Sequence, residues 1–177
     1  MIRPDTRTRG VLAVLATLAA VLAPPQPAIG SSMARGPRLS WPFEPAPRVT
    51  RPFDPPQHRY GTGHRGVDLA ATSGEPVLAA DAGVVIFAGM LAGRGVLSIQ
   101  HDGGLRTTYE PVAPSVREGS RVYRGQVIGT VRPGHPGCSA PACLHWGVRR
   151  GEHQYLDPLT LVRTGAAGRP IRLKPWD

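Results

Sequence analysis

Gly83-Val84-Val85-Ile86-Phe87-Ala88-Gly89-Met90-Leu91-Ala92-Gly93-Arg94-Gly95-Val96-Leu97-Ser98-Ile99-Gln100-His101-Asp102-Gly103-Gly104-Leu105-Arg106-Thr107-Thr108-Tyr109 decides the fold class. Gly83 to Gly89, Val96 to His101 and Leu105 to Tyr109 are apolar or β-prone runs of strand length, separated by glycine turns. Asp102-Gly103-Gly104 is a hairpin signal, because tight hairpin turns need a left-handed backbone that glycine reaches freely. Upstream, Gly66 to Ala71 is predicted as a short strand, Gly74-Glu75-Pro76 as a turn and Val77 to Ala80 as another strand. Downstream, Pro111 to Pro114 is expected to break the sheet, and Gly119 to Val122 and Gln126 to Val131 to resume it. Arg132 to Ala142 is a Gly/Pro loop that delivers the chain into a buried strand, Cys143 to Arg149. Leu159 to Val162 has room for one helical turn. Strands every ~8–12 residues with glycine at the turns predict a small, all-β, antiparallel domain.

Composition agrees. The chain has 177 residues, 22 of them glycine and 20 proline, with only 6% aromatics, which suits turn-rich β structure better than a helical bundle. The net charge is +9, carried almost wholly by arginine, with Lys174 the only lysine. Such a balance points to acidic partners, such as anionic wall polymers or a membrane surface. No Lys/Arg block is interleaved with aromatics, so nucleic acid is not among the expected partners.

Residues 1–30 have the layout of an export signal. Arg3, Arg7 and Arg9 precede an apolar run from Val11 to Ala23, and Ala28-Ile29-Gly30 offers small residues for cleavage. The apolar run is short for a permanent span, so no stable transmembrane segment is expected after leader cleavage, and the location is secreted or cell-envelope. Residues 31–40 are expected to be a linker, 41–162 the β domain, and 163–177 a loosely ordered tail. Within the domain, Trp41 to Phe53 alternates apolar anchors with prolines, as an extended arm laid over a core would.

Two stretches carry chemistry. Gly63-His64-Arg65-Gly66-Val67-Asp68-Leu69 sets an imidazole and a carboxylate four residues apart, and Cys143-Leu144-His145-Trp146-Gly147 adds an imidazole on a buried strand. His64, Asp68 and His145 form a ligand set that Zn²⁺ accepts, with a fourth position left for water. Without metal, the same residues would be a hydrogen-bonded His–Asp pair in a core. Cys143, two residues before His145, shares its strand face and has two open fates. It is either a fourth ligand that closes the site, or half of a disulfide with Cys138, as an oxidising compartment favours. His58, His101 and His153 are expected to face solvent. Arg65, Arg149 and Arg150 flank the motifs, either to neutralise acidic peptides and wall polymers or as a solvated rim. Tyr109 is a candidate oxyanion donor or a packing residue.

The sequence resembles the M23 family, the lysostaphin/LytM-type zinc endopeptidases that cut peptide bridges in bacterial peptidoglycan. The resemblance rests on His64-Arg65-Gly66-Val67-Asp68, on Val77, Ala79, Gly83 and Val85 within Gly74 to Val85, and on Leu144-His145-Trp146-Gly147-Val148-Arg149. It covers roughly Trp41 to Val162 and implies a curved antiparallel sheet with a groove, zinc on its floor held by His64, Asp68 and His145, and peptidoglycan as substrate. Two positions depart from the family pattern. The usual late motif is His-x-His, and Cys143 takes the place of its first histidine. A histidine usually follows a mid-chain strand tyrosine, where this chain has Tyr109-Glu110-Pro111. His135 and Glu110 are the candidate catalytic stand-ins, each otherwise an ordinary surface residue. Two functions remain open at this point: an exported metallopeptidase, or an inactive module that binds the wall or regulates another wall hydrolase. A lipoyl- or biotin-carrier domain would need an exposed turn lysine, and the β domain has none.

Overall fold

A computed structural model describes residues 39–162. The expected leader (1–30), most of the expected linker and the tail (163–177) lie outside the described residues. Eleven strands form two antiparallel sheets. They are β1 (Val49–Arg51), β2 (Gly66–Ala71), β3 (Pro76–Leu78), β4 (Gly83–Leu91), β5 (Arg94–His101) and β6 (Leu105–Glu110), followed by β7 (Val112–Pro114), β8 (Arg121–Val122), β9 (Val127–Val131), β10 (Ala142–Arg150) and β11 (Gln154–Leu156). The larger sheet runs β1-β2-β10-β6-β5-β4-β8, with β11 beside the far end of β10; the smaller runs β3-β9-β7. Only 3-10 turns, Asp102–Gly104 and Pro158–Thr160, interrupt this β architecture among the described residues.

Alternation divides the two faces of the large sheet. Leu105, Thr107 and Tyr109 of β6 are buried, while Arg106, Thr108 and Glu110 are half-buried on the other face. Trp146 and Val148 of β10 join the core with Leu69, Leu97, Ile99 and Ile128. Tyr109 is fully buried and its hydroxyl accepts a hydrogen bond from the Ala80 amide. Burial pushes its phenol up to about 12. It is a packing residue, and the core side of the sheet holds it away from any oxyanion.

Several boundaries differ from the sequence reading. The chain after Pro111 leaves the large sheet but remains a strand, since Val112–Pro114 pairs with β9 in the small sheet. Leu39, placed in the linker, is fully buried, and Ser40 donates to the Ala80 carbonyl, so both belong to the domain. β11 was not expected; it forms because Gly151 takes a positive φ of 58° and folds Gln154–Leu156 back on Val148–Arg150. His101 is corrected outright. It is buried, 3% exposed, with Nδ1 donating to the Ala82 carbonyl and Nε2 bonded to Thr107 Oγ1. Its position at the end of β5 alternates onto the core face, which spacing to the motifs could not show.

The arm from Trp41 to Phe53 lies over the core as expected. Phe43 is buried and the Trp41 ring stands 6.2 Å from that of Trp146. Its last part becomes β1, pairing with β2, and then bridges Asp54 to His64.

Candidate metal centre and its groove

His64, Gly66 and Asp68 fall on one face of the segment entering β2, because side chains two and four apart on extended backbone share a face. β10 lies against β2 with His145 directly opposite Asp68. Three donors therefore meet. His64 Nε2 and His145 Nδ1 each stand 2.9 Å from Asp68 Oδ1 and 2.9 Å from each other. Glycine makes room for the third ring: a Cβ on Gly66 would lie 2.8 Å from the His145 ring.

Proton positions show which charge this cluster accommodates. The Pro52 carbonyl, 2.6 Å from His64 Nδ1, can only accept, so Nδ1 carries the hydrogen. In the neutral ring Nε2 then presents a lone pair to the lone pairs of a carboxylate oxygen. Two acceptors at that distance repel unless positive charge lies between them, either a proton or a metal cation. The donor spacing is also within about half an ångström of the ~3.4 Å edge of a tetrahedron with ~2.1 Å bonds. Two imidazole nitrogens, one carboxylate and an outer carbonyl fixing one ring are the donor chemistry zinc sites use. The residues fit zinc.

His135 is the next group. Its Nδ1 donates to the Pro136 carbonyl and its Nε2 is 3.2 Å from Asp68 Oδ1; its ring stacks on that of His145 at 6.2 Å. Burial alone would raise the Asp68 carboxyl, but the hydrogen bonds from His135 and His145 hold it well below the usual carboxylate range. The same bond to Asp68 pushes His135 up against the opposing effect of burial. The loop that carries His135 is tied to β10 by a disulfide between Cys138 and Cys143. Of the two fates open to Cys143, the structure shows the disulfide, and the sulfur is not available to a metal. Glu110 lies opposite His145 across β6 and β10, but Arg94 engages both carboxylate oxygens, at 2.9 and 3.3 Å.

The floor of the groove is a grid. Thr108, Gly147 and Gly66 form a row of small residues beside the cluster, and beyond them Arg106, Arg149 and Tyr155 form the next. Arg65 lines the same groove and Arg150 lies exposed outside it. His58 and His153 are exposed, as expected. The sequence did not single out Pro52 or Arg106. Nothing in a proline advertises its carbonyl as a ring anchor, and Arg106 becomes part of the groove only through strand register.

Residues 62–158 match the profile of Peptidase family M23. The chain belongs to that family. An uncharacterized protein of Mycobacterium tuberculosis is 52% identical over 141 residues, covering 78% of this chain and 55% of that protein. DD-carboxypeptidase/endopeptidase Mpg of Neisseria meningitidis is 37% identical over 87 residues, 49% of this chain and 20% of Mpg. Among solved structures, a zinc-containing peptidase from Vibrio cholerae superposes with a TM-score of 0.58 at 26% identity, covering 69% of this chain and 39% of that one. The chain thus spans about half the length of its mycobacterial relative and a fifth of Mpg. Its M23 fold is the metallopeptidase-type β fold associated with peptidoglycan.

Proposed function

We propose that this M23 member is a zinc metalloendopeptidase of peptidoglycan cross-link or stem peptides, working in the cell envelope or outside the cell. The observation that carries the reading is the convergence of His64 Nε2 and His145 Nδ1 on Asp68 Oδ1, with the Pro52 carbonyl forcing a lone pair inward. His64, Asp68 and His145 would hold the metal. When bound, zinc polarises a scissile carbonyl and makes water acidic enough to attack it. With Asp68 Oδ1 given over to the metal, His135 Nε2 would be released to take a proton from water and return it to the leaving amine, in place of the role lost at Cys143. The Nδ1 bond to the Pro136 carbonyl would orient the His135 ring, and the disulfide ties the loop that carries it to β10. Glu110, held by Arg94, supports the wall of the groove. Envelope location is supported by the signal-like residues 1–30 and by the disulfide, which oxidising compartments sustain.

The test is zinc content of the purified full chain together with release of peptides from purified peptidoglycan. Near-stoichiometric zinc and new amino termini are expected, both lost in His145→Ala. His135→Ala should keep the zinc and lower turnover by ~10²–10⁴-fold. A second reading, an inactive module that binds the wall or regulates another wall hydrolase, is favoured by the fact that neither departed position offers a free base: Cys143 is oxidised and Glu110 is ion-paired. Zinc retained with no peptide released by the wild type would select it.

A further inference from the structure

Next to the candidate centre, arginines combine a cavity with an energetic cost. A recess of about 880 Å³ adjoins the groove of the candidate centre, lined by Arg59, Arg65, Arg106 and Arg149 with the rings of Tyr60 and Tyr155. Arg65, Arg106, Arg149 and Tyr155 also line the groove that holds His145, so the two spaces adjoin at these side chains.

Strand register makes this arrangement costly. Arg106 and Arg149 are direct cross-strand neighbours, and like charges placed opposite destabilise a sheet. Burial and Arg149 both disfavour charge on Arg106. No carboxylate forms an ion pair with them among the described residues; only the field of Glu152 favours charge on Arg106. Arg149 donates to the Glu152 carbonyl, Arg106 to the Gln100 amide oxygen, and Arg65 to the Arg59 and Gly61 carbonyls. The one carboxylate in the lining, Glu152, is 87% exposed and faces His153. Elsewhere on the same domain arginines find acids: Arg94 has Glu110 and Arg124 has Asp81. Arg65 is stacked 5.5 Å over the Tyr155 ring, which holds its guanidinium at the recess without neutralising it.

Taking as its premise the peptidase reading above, we infer that this recess is a specificity subsite for a free carboxylate on the peptide chain lying in the groove. Guanidinium pairs recognise carboxylates bidentately, which suits a planar anion on a peptide. Arg149 follows His145 by four strand positions, about 13 Å, and an extended peptide covers that distance in roughly four residues. The carboxylate recognised therefore lies about four residues from the scissile bond. Thr108 and Gly147, both small, line the stretch of groove between the two sites.

The experiment is calorimetric binding of a synthetic tetrapeptide, L-Ala-D-isoglutamate-diaminopimelate-D-Ala, and of its isoglutamine counterpart, to the full chain. The acid form should bind the wild type about 10-fold or more tightly than the amide. Arg106→Gln and Arg149→Gln should erase that ratio while leaving the melting temperature within a few degrees and the amide's affinity unchanged. His145→Ala should keep the ratio, so the subsite is measurable even if the chain proves to have neither zinc nor hydrolysis. Equal affinity of the wild type for both peptides overturns the inference. So does poly(glycerol phosphate) outcompeting the acid peptide through the same arginines, which would assign the recess to a phosphate polymer instead.

Discussion

Gly66 carries no functional group, yet the candidate centre depends on what it omits. A Cβ there would lie 2.5 Å from the Trp146 carbonyl as well as against the His145 ring, and the carbonyl is part of the sheet and cannot rotate away. Gly66→Ala should cost about 1–3 kcal/mol through overpacking and push His145 off its line to Asp68. The expected result is a lower melting temperature together with substoichiometric zinc; normal zinc content would show that the ring has another way in. At this scale the sequence offered His64, Asp68 and His145 as residue types a metal accepts, and the family resemblance, not spacing, joined the two motifs. The Pro52 carbonyl was illegible, since any residue has one. His101 was misread because its burial comes from β5 folding over Ala82, a contact between residues 19 apart.

Elements carry the next two consequences. The disulfide closes a short segment, with cysteines five residues apart, and its removal should cost about 2 kcal/mol of stability. Its larger effect should be on rate. Cys138→Ser/Cys143→Ser should retain zinc but lose turnover toward the level of His135→Ala, measured as peptide release per bound zinc. Turnover equal to the wild type would separate the loop from the chemistry. At the end of β5, burial lowers the His101 pKa from its ordinary 6.5. The unfolded ring takes its proton near that value and the folded ring only at lower pH. The stability contributed by neutral His101 is thus complete above pH ~6.5 and is lost as pH falls toward the lower folded value. In denaturant titrations from pH 8 to 5, His101→Gln should lose less stability than the wild type over that interval. Strand β11 and the Val112–Pro114 strand escaped the sequence reading for a common reason. Both are three residues long, too short for alternation to register, and each is fixed by a partner strand rather than by its own composition.

For the whole molecule, the all-β architecture was legible because glycine turns punctuate almost every strand. What was not legible is how those strands are wrapped. β10 is the last long strand, yet it sits between β2 and β6, the place that brings His145 to Asp68 and Arg149 to Arg106. Spacing along the chain could nominate the first of these pairs only by resemblance, and could not nominate the second at all.

Leu39 and Val162 are joined by a parallel bridge, with the Leu39 amide donating to the Leu161 carbonyl. The first and last described residues of this domain therefore lie within one strand spacing, about 5 Å. A short glycine tether can connect those two points, and the chain can be reopened at the exposed turn around Gly93, whose positive φ already marks a backbone reversal. Such a circular permutant alters the order of synthesis without removing a single pairing around His64, Asp68, His135 and His145. It should fold to the same β spectrum and take up zinc as the parent does. An unfolded product would mean that the β4–β5 connection, remote from the ligands, is needed to assemble them.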